Sequence, residues 1–435
     1  EMTKTSTIPW KPFSDKHKAY IKNALKCQMS VAEGAIRSGK TIDNCIIAAA
    51  YLEKCRDQIH LASGSTMANA KLNIGVCNGF GLENLFRGRC RWGKYRDNEA
   101  LFIKTQTGEK VVLFAGGGKS DSYKRILGNS YGLWIATEIN EHYDSEDSRE
   151  SFVKVAFGRQ LAAQDPLVLW DLNPCSPRNP IYSNYIDLYK DTYAGGYNYE
   201  KFTLTDNLSI SAERKAQIMA QYNVNSVWYR RDILGERCVA EGLIYQQFAD
   251  DPNKYRGELK DHKDVQHIKI GVDFGGNRSN HAFVATGTAD FNKLVVLASR
   301  SIPAPGTDVD KLIALFIQFA QYVEKAYGEI TGVYCDSEEQ TIINTIRAKT
   351  GYPIYNAIKG SILDRIRFTD LMLSTNRIVV LPDNDALIAG LADARWDTKH
   401  DDTRLDDGTS DIDVLDAFEY SVEHDISLYE GWFAS

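Results

Sequence analysis

The stretch Val31 to Asn44, "VAEGAIRSGKTIDN", decides how the N-terminal half is read. It places Gly34, four intervening residues, then Gly39, Lys40 and Thr41, the G-x-x-x-x-G-K-[ST] spacing of a phosphate-binding loop. The flanks supply the context that spacing needs. "CQMSVAEG" enters as an apolar strand and "TIDNCIIAAAYLEKC" leaves with helical periodicity. In such a turn the glycines let backbone N–H groups face a β-phosphate, Lys40 bridges the β- and γ-phosphates, and Thr41 offers a hydroxyl to Mg²⁺ at a helix N-terminus. Gly34, Arg37, Ser38, Gly39, Lys40 and Thr41 are therefore the candidate nucleotide contacts. Arg37 either reaches a γ-phosphate of its own or a neighbouring subunit, or solvates the outer face of the loop.

Nucleotide hydrolysis also needs acids for the metal and for water. "YGLWIATEINEH" has apolar Leu133, Trp134 and Ile135 ahead of Thr137 and Glu138. The usual pattern is four apolar residues followed by Asp-Glu; Thr137 stands at the Asp position, which leaves Mg²⁺ held mainly by Thr41 and water. Glu138 is the candidate catalytic base, with Glu141 the alternative one helical turn later.

Outward from these motifs, "DQIHLASG", "KVVLFAGGG" and "PLVLWDLNP" read as further short strands separated by helical stretches. They imply an α/β fold with a mostly parallel, three-layer sheet and functional residues at the strand C-termini. A length of 435 residues exceeds what one core organises, so at least two domains are expected. The apolar pattern lapses at "FADDPNKYRGELKDHKDVQH", giving a first domain over 1–247, a linker over 248–267, and a second domain over 268–435. Net charge is −7, from 51 basic and 58 acidic side chains, which argues against non-specific coating of nucleic acid but leaves room for a local basic groove or metal-mediated phosphate contacts. No apolar run approaches the ~18 residues of a membrane span and no signal peptide is evident, so no membrane partner is expected and the setting reads as cytosolic. The eight cysteines are scattered without zinc spacing, as expected of reduced, mostly buried thiols.

The second half carries a different chemistry. "IKIGVDFGGNRSNHAFVATG" puts Asp273 near the end of a strand that turns into a hairpin; "ITGVYCDSEE" puts Asp336 at another strand end. "SDIDVLDAFEYSVEH" opens a helix with Asp413 and Asp416 on one face. Carboxylates converging from two strand ends and one helix make a site for two Mg²⁺ or Mn²⁺ ions that activate water and stabilise the leaving oxygen in phosphodiester cleavage.

Together, "FSDKH", the phosphate loop, "LNP" after a strand, the charged linker, the Asp hairpin, the strand Asp and D-x-x-D-A resemble the large subunit of tailed-bacteriophage terminases, over nearly the whole chain. The resemblance implies an N-terminal P-loop ATPase of the additional-strand (ASCE) type over 1–247 with a small lid at about 198–247, then a ribonuclease H-like nuclease domain over 268–435. It implies ATP with Mg²⁺ in the first domain, and double-stranded DNA, a small terminase subunit and the procapsid portal as partners. A homo-oligomeric ring on the portal, working in the host bacterial cytoplasm, follows from the same likeness. By position, Phe13 and His17 fall in the adenine-side segment, where Gln is common. Arg125 falls in a phosphate or coupling stretch. Asn173 falls in the motif that couples nucleotide to movement. Asp273, Asp336 and Asp416 match the nuclease triad, and Asp413 stands as a fourth ligand where relatives often have His. Lys359 and Arg365, in "AIKGSILDRI", match a DNA-contacting segment. The runner-up reading is a helicase-like or repair ATPase fused to a resolvase-type nuclease, and a third is a scaffold with degenerate sites.

Overall fold

A computed structural model describes residues 13–96, 98–261, 265–275, 279–290, 292–408 and 410–431. The chain divides into two compact units, Glu1–Met219 with Asn225–Val239, and Ala220–Val224 with Ala240–Ser435.

In the first unit eight strands form one sheet: β1 (Met29–Gly34), β2 (Ile59–Gly64), β3 (Cys90–Tyr95), β4 (Asn98–Thr105), β5 (Gly108–Gly116), β6 (Leu133–Ala136), β7 (Leu167–Leu172) and β8 (Tyr197–Phe202). Their order is β3-β4-β5-β2-β6-β7-β1-β8. From β5 to β8 every pairing is parallel; β3 and β4 extend the edge as antiparallel strands. β1, β6 and β7 are buried along their whole length, because separate apolar clusters cover the two sheet faces. One cluster includes Cys45, Ile47, Ala48 and Leu52 of the helix Lys40–Leu52; the other centres on Trp134, Trp170 and Tyr185. The three-layer, mostly parallel sheet expected from the sequence is therefore present. Since β6, β7 and β1 are parallel neighbours, their C-terminal ends meet at one edge, where ligand sites of such sheets form. Tyr197–Phe202, at the start of the expected lid, is instead the edge strand beside β1.

The second unit is built on β9 (Gln266–Asp273), β10 (Asn280–Ala289), β11 (Lys293–Pro303), β12 (Ile330–Cys335), β13 (Ile354–Asn356) and β14 (Ile378–Val380), in the order β13-β12-β9-β10-β11-β14. β9, β10 and β11 form an antiparallel meander, and β12 runs parallel to β9. The helix Val309–Tyr327 contributes Leu312, Phe316, Phe319 and Val323 to the core on this sheet. The helix Ile412–Val422 packs on β9 and β10. It comes so close that a Cβ on Gly271 would stand 1.8 Å from the Ala417 carbonyl oxygen, so only glycine admits the helix here.

Residues 248–261, inside the expected linker, are folded into this second unit. Phe248 and Tyr255 are buried and their rings stack at 5.3 Å, while Arg256 bridges to Val380. The charged composition conceals two aromatic anchors. All eight cysteines are free thiols, six of them buried. Among the described residues no helix is long and apolar enough to cross a membrane.

Candidate functional site

At the end of β1 the chain turns through the glycine loop into the helix Lys40–Leu52. Gly34 has φ 150°, and a Cβ there would lie 1.9 Å from the Phe202 carbonyl oxygen. Gly39, the N-cap, has φ 98°. The loop is tied down by Ala35 N–H donating to Phe202 O (2.9 Å) and Ile36 N–H to Asp232 O (3.0 Å). Lys40 is buried; its Nζ donates to Gly34 O (2.8 Å), Ala35 O (2.6 Å) and Asn173 Oδ1 (3.2 Å). Burial pulls its pKa down to about 8, against the charges of Asp171, Asp232 and Glu138. Ser38 is buried beside it, whereas Arg37 is exposed at φ 54° with its carbonyl held by Asn207 Nδ2 (2.7 Å).

Phe13 and His17 lie close by, but differently from the adenine-side expectation. His17 is buried beneath Gly39, pairs through Nδ1 with Asp43 Oδ2 (2.5 Å), and stacks on Phe202 at 4.5 Å. It braces the loop from inside the fold. Phe13 bridges to Asn207.

The acidic residues gather at the ends of β6 and β7. Glu138 has a left-handed φ of 53°, uncommon for a residue with a side chain, and its Oε2 accepts from Asn69 Nδ2 (3.1 Å). Its N–H and the Thr137 hydroxyl both donate to Asp171 Oδ1, at 3.2 and 3.1 Å. Glu141 is exposed and accepts from its neighbour Asn140. Glu138 is thus the acid of the pair that faces the loop lysine. Arg125 is exposed on the short 3-10 helix Ser122–Ile126.

In the second unit Asp273 ends β9, and Asp336 follows β12 directly, its N–H donating to Val272 O (3.2 Å). Asp413 lies within hydrogen-bonding reach of Asp273 and accepts from Asn280 N–H (2.6 Å). Asp416 is one helical turn on. Burial, then the charges of Asp416, Asp413 and Asp336, push the Asp273 pKa up to about 8. Such crowding suits a cation, but two of the carboxylates are turned to protein cations. Asp336 takes Lys359 Nζ at 2.9 Å on each oxygen, and Asp416 Oδ1 takes Arg365 Nη1 (3.0 Å) and Arg404 Nη2 (2.5 Å). Among the described residues no three His, Cys, Asp or Glu side chains already stand as a metal cluster. Lys359 and Arg365 are therefore both placed at the acidic site: Lys359 is exposed there on Asp336, whereas Arg365 is buried against Asp416, Glu419 and Glu423.

No protein-family profile and no curated protein sequence matches the chain. Solved structures do. A large terminase from a thermophilic bacteriophage superposes with a TM-score of 0.81 at 20% identity, over 95% of this chain and 99% of that one. The chain has the fold of a large terminase. The ADP complex from that phage gives 0.79 at 21% identity and the ATP-γ-S complex 0.77 at 20%, each over 94% of this chain and 98% of the other. A unit with a mostly parallel eight-stranded sheet, followed by a second unit on a mixed six-stranded sheet, is thus the architecture that the chain shares with these structures.

Within that large-terminase fold, the sequence reading passed over three residues of the two sites. Asp171 is an acid in an otherwise apolar, fully buried strand, and that isolation is the signal that marks it. Arg404 lies in a polar stretch without periodicity. Glu33, just before Gly34, accepts from Arg237 Nε and Nη2 (2.7 to 3.0 Å) and from the hydroxyls of Tyr182 and Tyr199 (2.7 Å each), fixing the rear of the loop.

Proposed function

We propose that this chain is the motor and endonuclease of a double-stranded DNA packaging machine, using ATP hydrolysis to translocate DNA into a procapsid and cutting concatemeric DNA. The observation that carries it is the joining, in one chain, of a phosphate loop that faces Glu138 with a separate carboxylate cluster on a ribonuclease H-like sheet. The large terminases of like fold were solved with ADP and with ATP-γ-S, which supports nucleotide as the ligand of the loop.

The loop amides and Lys40 bind the phosphates, and Thr41 presents its hydroxyl to Mg²⁺. Lys40 then exchanges the carbonyls of Gly34 and Ala35 for phosphate oxygens. Glu138 orients and polarises the attacking water, with Asn173, touching Lys40, reporting the state of the phosphates. Arg37, exposed on the loop, reaches a γ-phosphate in its own or a neighbouring subunit. In the second unit Asp273, Asp336 and Asp416, with Asp413, hold two Mg²⁺ or Mn²⁺ ions, which when bound supply Lewis acidity and an activated water. Lys359, once released from Asp336, becomes available to a DNA phosphate. Double-stranded DNA, a small terminase subunit, the portal and a homo-oligomeric ring in the host bacterial cytoplasm complete the reading. Phosphate release from ATP by the purified chain tests it: Lys40→Ala is expected to abolish turnover, and turnover at the parent rate in that variant overturns the motor.

A further inference from the structure

We infer that Asp171 holds the water shell of the nucleotide-bound divalent cation, taking on β7 the role left vacant by Thr137 at the end of β6. The inference rests on the nucleotide reading of the loop and adds a residue that neither the motif nor the likeness assigns.

The argument begins with strand order. β7 lies between β6 and β1, with Ala136 opposite Trp170 and Ala32 opposite Asp171. The residue after Ala136 is thus flanked by Asp171, and the Thr137 hydroxyl donates to it at 3.1 Å. An acid at 171 stands one strand closer to the loop than an acid at 137.

Its bonding says what it lacks. Oδ1 is occupied by the Thr137 hydroxyl and the Glu138 N–H, whereas Oδ2, buried with a side chain 3% exposed, has no hydrogen-bond partner. A buried carboxylate oxygen left without a partner is costly, and sites that keep one await a ligand. Asp171 pairs with Ala32 on β1, two residues before Gly34, so its carboxylate stands at the strand end from which the phosphate loop springs. Mg²⁺ keeps several waters and takes few protein ligands. One threonine hydroxyl, phosphate oxygens and a carboxylate accepting from a metal-bound water are sufficient, so a cluster of three acids is not required. Thr137 is then a positioning residue that holds Asp171. The Glu138 N–H bonded to the same carboxylate registers the candidate base against the cation.

The test is the gain in nucleotide affinity that Mg²⁺ confers, measured on the full chain by titrating fluorescent ADP in EDTA and in excess Mg²⁺. Asp171→Asn keeps the shape and the Oδ1 acceptor. It is expected to bind within about twofold of the parent in EDTA while losing at least about tenfold of the affinity gained from Mg²⁺. A full Mg²⁺ gain in Asp171→Asn overturns the inference and leaves the nucleotide reading standing. Equal weakening with and without Mg²⁺ also overturns it, by showing that the carboxylate serves only as partner to Lys40. A parent that does not bind ADP under either condition overturns the nucleotide reading itself. The exchange Thr137→Asp with Asp171→Thr is expected to recover part of the Mg²⁺ gain lost in Asp171→Asn.

Discussion

Lys359 Nζ lies 2.9 Å from both oxygens of Asp336, so a protein cation sits where the proposed nuclease places a metal ion. The pair is part-exposed, with Lys359 34% and Asp336 15% accessible, and such pairs contribute at most about 1 kcal/mol. Lys359→Met should therefore lower the Mn²⁺ concentration that half-activates cleavage by about three- to fivefold. An unchanged or raised requirement would show that the lysine does not compete with metal.

The two glutamates after β6 are separable. Glu138→Gln should bind ATP at parental affinity and lose turnover by at least about 100-fold, since the amide keeps the shape but cannot accept a proton. Glu141→Gln, altering an exposed side chain, should hydrolyse ATP within about twofold of the parent. Single-turnover phosphate release measures both, and the reverse pattern would move the base to Glu141.

Arg237 neutralises Glu33, which is 1% accessible at the foot of the loop, and stacks over the Tyr182 ring at 3.7 Å. Removing one partner of a buried pair strands the other charge, at a cost of about 3–5 kcal/mol. Arg237→Ala should lower the denaturation midpoint accordingly, and adding Glu33→Gln should return part of the loss. Additive losses in the double variant would mean that the two charges act independently.

Asp370 gives a pH signature in the second unit. Burial raises its pKa to about 7, opposed by the Gln247 amide, which donates to Oδ1 at 3.0 Å. The folded state keeps this proton after the unfolded chain has lost it, so stability contributed by the protonated form is lost as pH rises from about 4 to about 7. Asp370→Asn retains the acceptor and removes the ionisation. It should melt higher than the parent at pH 8, by an amount equivalent to at most about 4 kcal/mol, and gain nothing at pH 4. Equal differences at both pH values would contradict the assignment.

What was legible in the sequence was local. The phosphate loop declared itself because Gly34 and Gly39 answer to backbone constraints a few residues away, and Asp273 and Asp336 because each closes its own apolar strand. What depended on partners distant in sequence was not. Asp171 acquires meaning only from Thr137 on the neighbouring strand, and Arg365 only from carboxylates on the helix Ile412–Val422. β3 and β4 escaped notice because an edge hairpin such as "CRWGKYRDNEALFIKT" mixes charge with apolar residues. Phe248 and Tyr255 were hidden for the same reason, as anchors within charged sequence.

The central claim is that one chain carries two independent metal-dependent chemistries, and conversion of supercoiled plasmid by Asp273→Ala, with ATP hydrolysis followed in the same samples, tests it most directly. Removing Asp273 strips the crowded carboxylate cluster of the member that ends β9 and leaves the phosphate loop untouched. The account expects no cleavage above that seen in EDTA, with either Mg²⁺ or Mn²⁺, and ATP hydrolysis within about twofold of the parent. Cleavage that survives the loss of Asp273, or that survives chelation of metal in the parent, would contradict it.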